Sequence, residues 1–198
     1  MGSAVEPRRL VIAMSGSSAP QLGITLLDTL RTDPLIETHL VVTEAAHRSI
    51  VLESDSSVDD VKAMADVVYD ASDYSASISS GSFQTVGMAV VPCSMSTLGS
   101  IANGVSASLA ARAADVTLKE RRPLVLVTRE TPLNLIHIRN MVAVTEAGAT
   151  VLPPTPAFYH RPESIQDLLD QTIGKVLDQF AIPHKLFERW TTPEDSRS

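Results

Sequence analysis

An α/β protein of three layers, with helices on both faces of a mostly parallel sheet, is the fold class this sequence predicts. Two observations predict it. Short apolar runs alternate with longer segments whose apolar residues recur at helical spacing, and that alternation reads as successive βαβ units. The stretch Lys119-Glu120-Arg121-Arg122-Pro123-Leu124-Val125-Leu126-Val127-Thr128-Arg129-Glu130-Thr131-Pro132 also clusters charge at both ends of an apolar run. That pattern marks a strand buried on both faces, with its polar ends delivered to the rims of the sheet.

Strands are expected at Leu10 to Met14, His39 to Thr43, Met88 to Pro92, Leu124 to Thr128 and Thr150 to Pro153, each too short and too evenly apolar to be a surface helix. Helices are expected between and after them. Pro20 to Leu30 follows the first strand, Glu44 to Leu52 and Val58 to Val67 the second, and Met95 to Asn103 and Ala107 to Glu120 the third. Pro132 to Ala147 follows the fourth and Pro162 to Phe180 the fifth, with Thr131 and Pro132 reading as an N-cap and first-turn proline. The resulting order is that of a Rossmann- or flavodoxin-like sheet.

At 198 residues and 44% hydrophobic content, the chain suffices for one core, so a single domain over 1–198 is expected. Residues 10–190 form its centre. The first nine residues and the tail after Trp190 are polar, charged or proline-bearing, and are expected to be flexible or to contact neighbouring copies. A net charge of −7 argues against a general nucleic-acid or anionic-membrane surface while leaving room for a local cationic pocket. Cys93 is the one cysteine, so no internal disulfide forms, and no charged leader with an apolar core precedes the first strand. A cytoplasmic protein is expected.

Three strand-to-helix junctions carry small hydroxyl residues: Ser15-Gly16-Ser17-Ser18-Ala19-Pro20, Thr43, and Pro92-Cys93-Ser94-Met95-Ser96-Thr97. Each suits an anion, because a helix N-terminus offers unpaired N–H groups and the positive end of the helix dipole. Each also suits ordinary capping. In open α/β sheets ligands sit in the crevice beyond the carboxyl ends of the strands, so the three junctions, with Arg129 and Glu130, fall where chemistry is usually done.

Other reactive residue types read more simply. His47, His137 and His160 lack the paired spacing of a metal site and are read as structural or solvated. Cys93, at the end of an apolar strand, is read as a small buried residue. Asp115 lies between Arg112 and Lys119 on one helix face, where it neutralises and orients them.

The order and content of these segments resemble the flavin prenyltransferase (UbiX) family from about Leu10 to Trp190. The resemblance rests on Ser15-Gly16-Ser17-Ser18, Ser77-Ile78-Ser79-Ser80-Gly81-Ser82-Phe83, Pro92-Cys93-Ser94, Arg112-Ala113-Ala114-Asp115-Val116, Leu118-Lys119-Glu120-Arg121-Arg122, Arg129-Glu130-Thr131-Pro132 and Pro156-Ala157-Phe158-Tyr159. It implies an enzyme that joins a dimethylallyl group from dimethylallyl monophosphate to N5 and C6 of reduced FMN, without a metal. The product, prenylated FMN, would serve a UbiD-type decarboxylase. A homo-oligomer, a dodecamer by family resemblance, is implied too, with active sites near subunit contacts.

Carried over by position, the resemblance gives FMN to Gly16, Ser17, Ser18, Thr43, Ser94, Met95, Ser96, Thr97 and Arg129. It gives the prenyl phosphate to Lys119, Tyr159 and Lys175, with Arg112 and Glu53 near the reacting end, Glu130 beside the flavin and Trp190 covering the site. The residue types make chemical sense. Phosphate leaving an allylic carbon needs cations around its oxygens, which Lys119, Arg112 and Lys175 supply. Glu130 and Glu53 are candidate acid/base groups for the proton released on ring closure, although Glu130 also reads as a helix N-terminal charge and Glu53 as a solvated helix-end acid.

The sequence departs from the family pattern at Ala19, where glycine is common, at Lys175, where arginine is frequent, and at Tyr74, where some members have tryptophan. Two other readings fit the same sheet: an FMN-dependent cysteine decarboxylase, or a non-catalytic flavin-binding accessory subunit.

Overall fold

The computed structural model describes residues 6–190. Of the terminal stretches whose flexibility or subunit contact the sequence suggests, 1–5 and 191–198 lie outside the described residues, whereas Arg8 and Arg9 belong to the first strand, paired with Ile36 and Glu37. Six strands form one sheet: β1 Arg8–Met14, β2 Ile36–Val42, β3 Val67–Tyr69, β4 Gly87–Cys93, β5 Leu124–Thr128 and β6 Thr150–Val151. Their order is β3-β2-β1-β4-β5-β6, and every neighbouring pair is parallel. All carboxyl ends therefore lie on one edge.

The helices are α1 Gln21–Leu30, α2 Glu44–Glu53, α3 Val58–Lys62, α4 Met95–Ala102, α5 Leu109–Lys119, α6 Leu135–Glu146 and α7 Ile165–Asp178. Alternation along each strand divides the core. Leu10, Ile12 and Met14 of β1 pack with Leu26 of α1, Ile50 of α2 and Val176 of α7 on one face. Val11 and Ala13 point the other way, toward Leu98 of α4, Leu109 and Ala113 of α5 and Val144 of α6. A strand whose two faces are both covered has no polar positions to spare, which is why these runs are continuously apolar. The three-layer sandwich expected from the sequence is what forms.

Apart from shifts of one to three residues at strand ends, the chain departs from the sequence reading in three places. The segment expected to stay helical to Val67 stops at Lys62, and Val67–Tyr69 pairs as edge strand β3. Asp66 causes this: its carboxylate accepts from the Thr38 N–H and hydroxyl at 2.7 and 2.8 Å, and its own N–H donates to the Thr38 hydroxyl at 3.0 Å, pinning the segment to β2. The helix expected from Pro132 starts at Leu135. Asn134, not Thr131, is its N-cap, accepting from the His137 N–H at 2.9 Å in a capping box with the His137 side chain, while the Thr131 hydroxyl turns back to the Glu130 carbonyl. The last helix likewise opens at Ile165 rather than Pro162, capped by Ser164 and Asp167.

Helix α1 approaches the sheet closely at Gly23. A Cβ there would lie 2.5 Å from the Val91 carbonyl oxygen and 2.7 Å from the Met14 side chain. Gly23→Ala is therefore expected to destabilise the protein by roughly 1–3 kcal/mol, the usual range for overpacking, measured as a lowered midpoint of chemical unfolding with an unchanged m-value.

Candidate active site

The order β3-β2-β1-β4-β5-β6 reverses direction between β1 and β4. From β1 the chain crosses to one face through α1, and from β4 to the opposite face through α4, so a crevice opens between the two connections. Gly16 to Ser18 border it on one side and Ser94 to Thr97 on the other. Thr43 follows the adjacent strand and Arg129 the strand beyond β4. The structure thus brings the sequence-assigned FMN residues to one edge.

Backbone and hydroxyl bonds hold that edge together. The Ser15 hydroxyl, 1% exposed, donates to the Pro92 carbonyl at 3.0 Å and accepts from the Ser94 N–H at 2.8 Å. The Ser17 hydroxyl donates to the Arg129 carbonyl at 2.9 Å, and the Arg129 N–H donates to the Cys93 carbonyl at 3.3 Å. Ser94 and Thr43 are N-caps, accepting from the N–H groups of Thr97 and Ala46. These hydroxyls serve the protein's own backbone. What the edge offers an anion is the first turn of α4, where Met95 and Ser96 have N–H groups without an intrahelical acceptor. A flavin phosphate fits that donor set.

The first loop carries a strained residue and a fixed carboxylate. Ala19 has φ 69°, in the left-handed region that favours glycine, so the alanine retains the conformation that glycine would adopt freely. Its N–H and the Ser18 hydroxyl both donate to Glu53 at 3.0 and 2.7 Å. These two bonds, the Ser18 one foremost, hold the Glu53 carboxyl below its ordinary value of 4.5, with Arg129 adding to the effect. Glu53 is therefore part of the loop, not a free helix-end acid.

A cavity of about 480 Å³ lies beyond the end of β5. Arg129, Glu130 and Thr131 line it together with Ala19 and Leu22, the Pro153 to Pro156 turn, and the α7 residues Ile165, Leu168, Leu169 and Thr172. Its walls are mainly aliphatic and its rim is charged. Glu130 is solvent-exposed in the single chain, and its carboxylate accepts from the Thr131 N–H at 3.1 Å.

The cations assigned to the prenyl phosphate separate into two groups. Arg112 and Lys119 belong to α5, against one face of the sheet, and Lys175 belongs to α7, against the other. Arg112 pairs with Asp115 at 2.8 Å and donates to the Ser79 carbonyl, so Asp115 orients Arg112 as the spacing implied. Lys119 pairs instead with Glu120. Tyr159 meets the Trp190 indole edge to face at 5.8 Å.

Near Lys175, Asp178 collects three partners: the ammonium at 3.5 Å, the Arg189 guanidinium at 2.7 Å and the His184 Nε2 at 3.2 Å. Arg189 foremost, then His184, draws the Asp178 carboxyl down to about 2.

A family model described as Flavoprotein matches residues 2–186. The flavin prenyltransferase UbiX of Escherichia coli is 54% identical over 185 residues, covering 92% of this chain and 98% of that protein. The chain belongs to the flavin prenyltransferase (UbiX) family. Among solved structures, AnUbiX (PadA1) in complex with FMN and dimethylallyl pyrophosphate superposes with TM-score 0.92 at 50% identity, covering 94% of this chain and 99% of that one. A dodecameric FMN-dependent Ubix-like decarboxylase from Escherichia coli superposes with TM-score 0.91 at 47% identity, over 93% of this chain and all of that one.

Within this UbiX-family chain, sequence reading missed the aliphatic wall on α7, the Asp178 cluster and the role of Ser15. Only the Lys175 to Asp178 spacing of three residues signalled the cluster in advance. Cys93 is fully buried, and burial pushes its thiol up to about 12, which fits an inert packing residue.

Two outcomes follow from the first loop. Ala19→Gly relieves the left-handed alanine and raises stability by about 0.5–1 kcal/mol, read as a higher thermal midpoint. Ser18→Ala raises the Glu53 pKa toward 4.5 in a carboxyl NMR titration. Because the folded-state value is depressed, the Glu53 contribution to stability is present above the ordinary value and lost as pH falls through the folded one. In Ser18→Ala that contribution is therefore smaller, and its loss is complete at higher pH.

Proposed function

We propose that this chain is a flavin prenyltransferase that joins a dimethylallyl group from dimethylallyl monophosphate to N5 and C6 of reduced FMN. One observation carries the reading: Gly16 to Ser18, Thr43, Ser94 to Thr97 and Arg129 meet at the β1/β4 crevice, beside an aliphatic cavity rimmed by Arg129 and Glu130. The family relationship supports it. Reduced FMN, when bound, supplies the electron-rich N5 and C6 that accept the prenyl carbons.

The chain's residues do the rest. The α4 N-terminus and Arg129 hold the anionic end of the cofactor. Aliphatic side chains such as Leu22, Leu168 and Leu169 shelter the five-carbon group from water. The bond between the allylic carbon and the phosphate oxygen breaks with its electron pair leaving on oxygen, so Lys119, Arg112, Lys175 and Tyr159 act by stabilising charge on the departing phosphate. Glu130 takes the proton lost on ring closure, Glu53 orders the loop beside it, and Trp190 covers the entrance with Tyr159.

We further propose that the working form is a homo-oligomer, as in the dodecameric Escherichia coli relative. Cations on α5 and on α7 of one chain lie against opposite faces of its sheet, so a neighbouring copy is needed to bring both sets to one substrate. Helix α6 supports this, because Leu135, Ile136, Ile138 and Val142 are largely exposed and only Val144 is buried. On this reading the protein acts in the cytoplasm as one flavoprotein domain, and prenylated FMN passes to a UbiD-type decarboxylase. No described helix is long and apolar enough to cross a membrane.

Anaerobic incubation with reduced FMN and dimethylallyl monophosphate, followed by mass spectrometry of the extracted flavin, tests the reading. The expected product is FMN plus one five-carbon prenyl unit, and Lys119→Ala and Glu130→Ala are expected to lower its rate at least about 100-fold. Bound FMN returned unchanged with both the monophosphate and the diphosphate would sink it.

A further inference from the structure

Beside Lys175 stands a second cation to which the family resemblance gives no role. Arg189 donates through Nη1 and Nη2 to the two Asp178 oxygens at 3.2 and 2.7 Å, while the Lys175 ammonium reaches the same carboxylate at 3.5 Å. Two of the five guanidinium N–H donors are used in that fork, Nη2 also lies 3.4 Å from the His184 Nε2, and the side chain remains 58% exposed, which leaves N–H donors open to a second anion. Arg189 is also within electrostatic reach of the Tyr159 phenol, whose ring packs on Trp190.

The cluster is built rather than incidental. Asp178 is 18% exposed, and His184, 2% exposed, backs it. The His184 Nδ1 accepts from the Leu186 N–H at 3.3 Å, which leaves Nε2 to donate to Asp178 at 3.2 Å and fixes the tautomer. The Arg189 guanidinium lies 5.7 Å from the Phe187 ring centre, a contact that steadies its plane. Two cations thus share the one carboxylate of Asp178, and the group carries excess positive charge.

Helix α7 links the cluster to the cavity. Leu168 lines the cavity, and Lys175, seven residues later, projects from the same side of the helix two turns on. The side of α7 that borders the cavity at Leu168 and Thr172 thus carries a cation one turn further on, an arrangement that suits a short prenyl chain with a phosphate head.

We infer that Arg189 is a direct ligand of the donor's phosphate, supplying the planar fork that Lys175 lacks, and that Asp178 is the positioning residue that holds both cations. The inference rests on the prenyltransferase reading and adds to it the group that recognises the donor's head. Lysine offers a point charge, whereas a guanidinium can bind two phosphate oxygens at once. Lys175 and Arg189 together present both.

Calorimetric titration of dimethylallyl monophosphate into the FMN-loaded protein tests this, with FMN affinity and thermal midpoint measured alongside. Arg189→Gln is expected to weaken monophosphate binding about 10- to 100-fold, with FMN affinity unchanged within about twofold. Arg189→Lys should recover part of the loss. Asp178→Asn separates positioning from bulk charge: removing a carboxylate would tighten anion binding if charge alone mattered, but weakens it if Asp178 aims the two cations.

Wild-type monophosphate affinity retained in Arg189→Gln, or tighter binding in Asp178→Asn, would overturn the inference while leaving the prenyltransferase reading intact. Wild-type protein that binds FMN but no monophosphate would overturn both. Because Arg189 is exposed, its variants are expected to fold even if Asp178→Asn does not.

Discussion

Ser15 is the point on which the carboxyl edge of the sheet depends. It sits at the end of β1, fully buried, and its hydroxyl bridges to β4 by donating to the Pro92 carbonyl and accepting from the Ser94 N–H. Parallel strands that diverge into helices on opposite faces leave backbone groups unpaired at the split, and each such group left unsatisfied costs about 1–3 kcal/mol. One hydroxyl satisfies two of them. The Ser17 hydroxyl and the Arg129 N–H extend the stitching to β5, so the three connections that border the crevice are fixed relative to one another. A ligand there meets donors already in place, which reduces the entropy lost on binding.

The fold was largely legible because burial on both faces leaves so direct a mark. Five of the six strands contain or overlap a short apolar run, and the mixed-charge segments between them have helical period. Edge strand β3 escaped because only three residues pair and the decisive contact is non-local, between Asp66 and Thr38. The start of α6 escaped for a local reason. Thr131-Pro132 has the composition of a helix start, but Asn134 and His137 form the capping box that satisfies both ends of the turn.

The site was legible in a different way. Small hydroxyl residues at three junctions announced an edge suited to an anion, and the geometry agrees about the edge while changing what the hydroxyls do: Ser15, Ser17 and Ser94 hold the backbone, and the helix N-terminus faces outward. Glu53 shows how spacing misleads. Its place at the end of α2 reads equally as a solvated acid or an acid/base group, and neither reading anticipates that it reaches across to the Ser18 hydroxyl and the Ala19 N–H, a partnership between positions 35 and 34 residues apart that no periodicity encodes. The Asp178 cluster is similar, because Arg189 and His184 come to it through a turn of chain beyond the last helix.

What residue types cannot express is the side of the sheet on which a charge ends up. Arg112 and Lys119 share a helix face, and Lys175 shares another with Leu168, but α5 and α7 belong to opposite layers. On the proposed reading both cationic sets serve one small phosphate, and, kept apart by the protein's own core, they can do so if each set meets the other's counterpart on a second copy. The exposed aliphatic face of α6 gives such an assembly something to bury, and burial at about 25 cal/mol per Å² makes even a modest apolar patch count. Association would then do more than stabilise the fold: it would exclude water from Glu130, exposed in the single chain and proposed above as the proton acceptor.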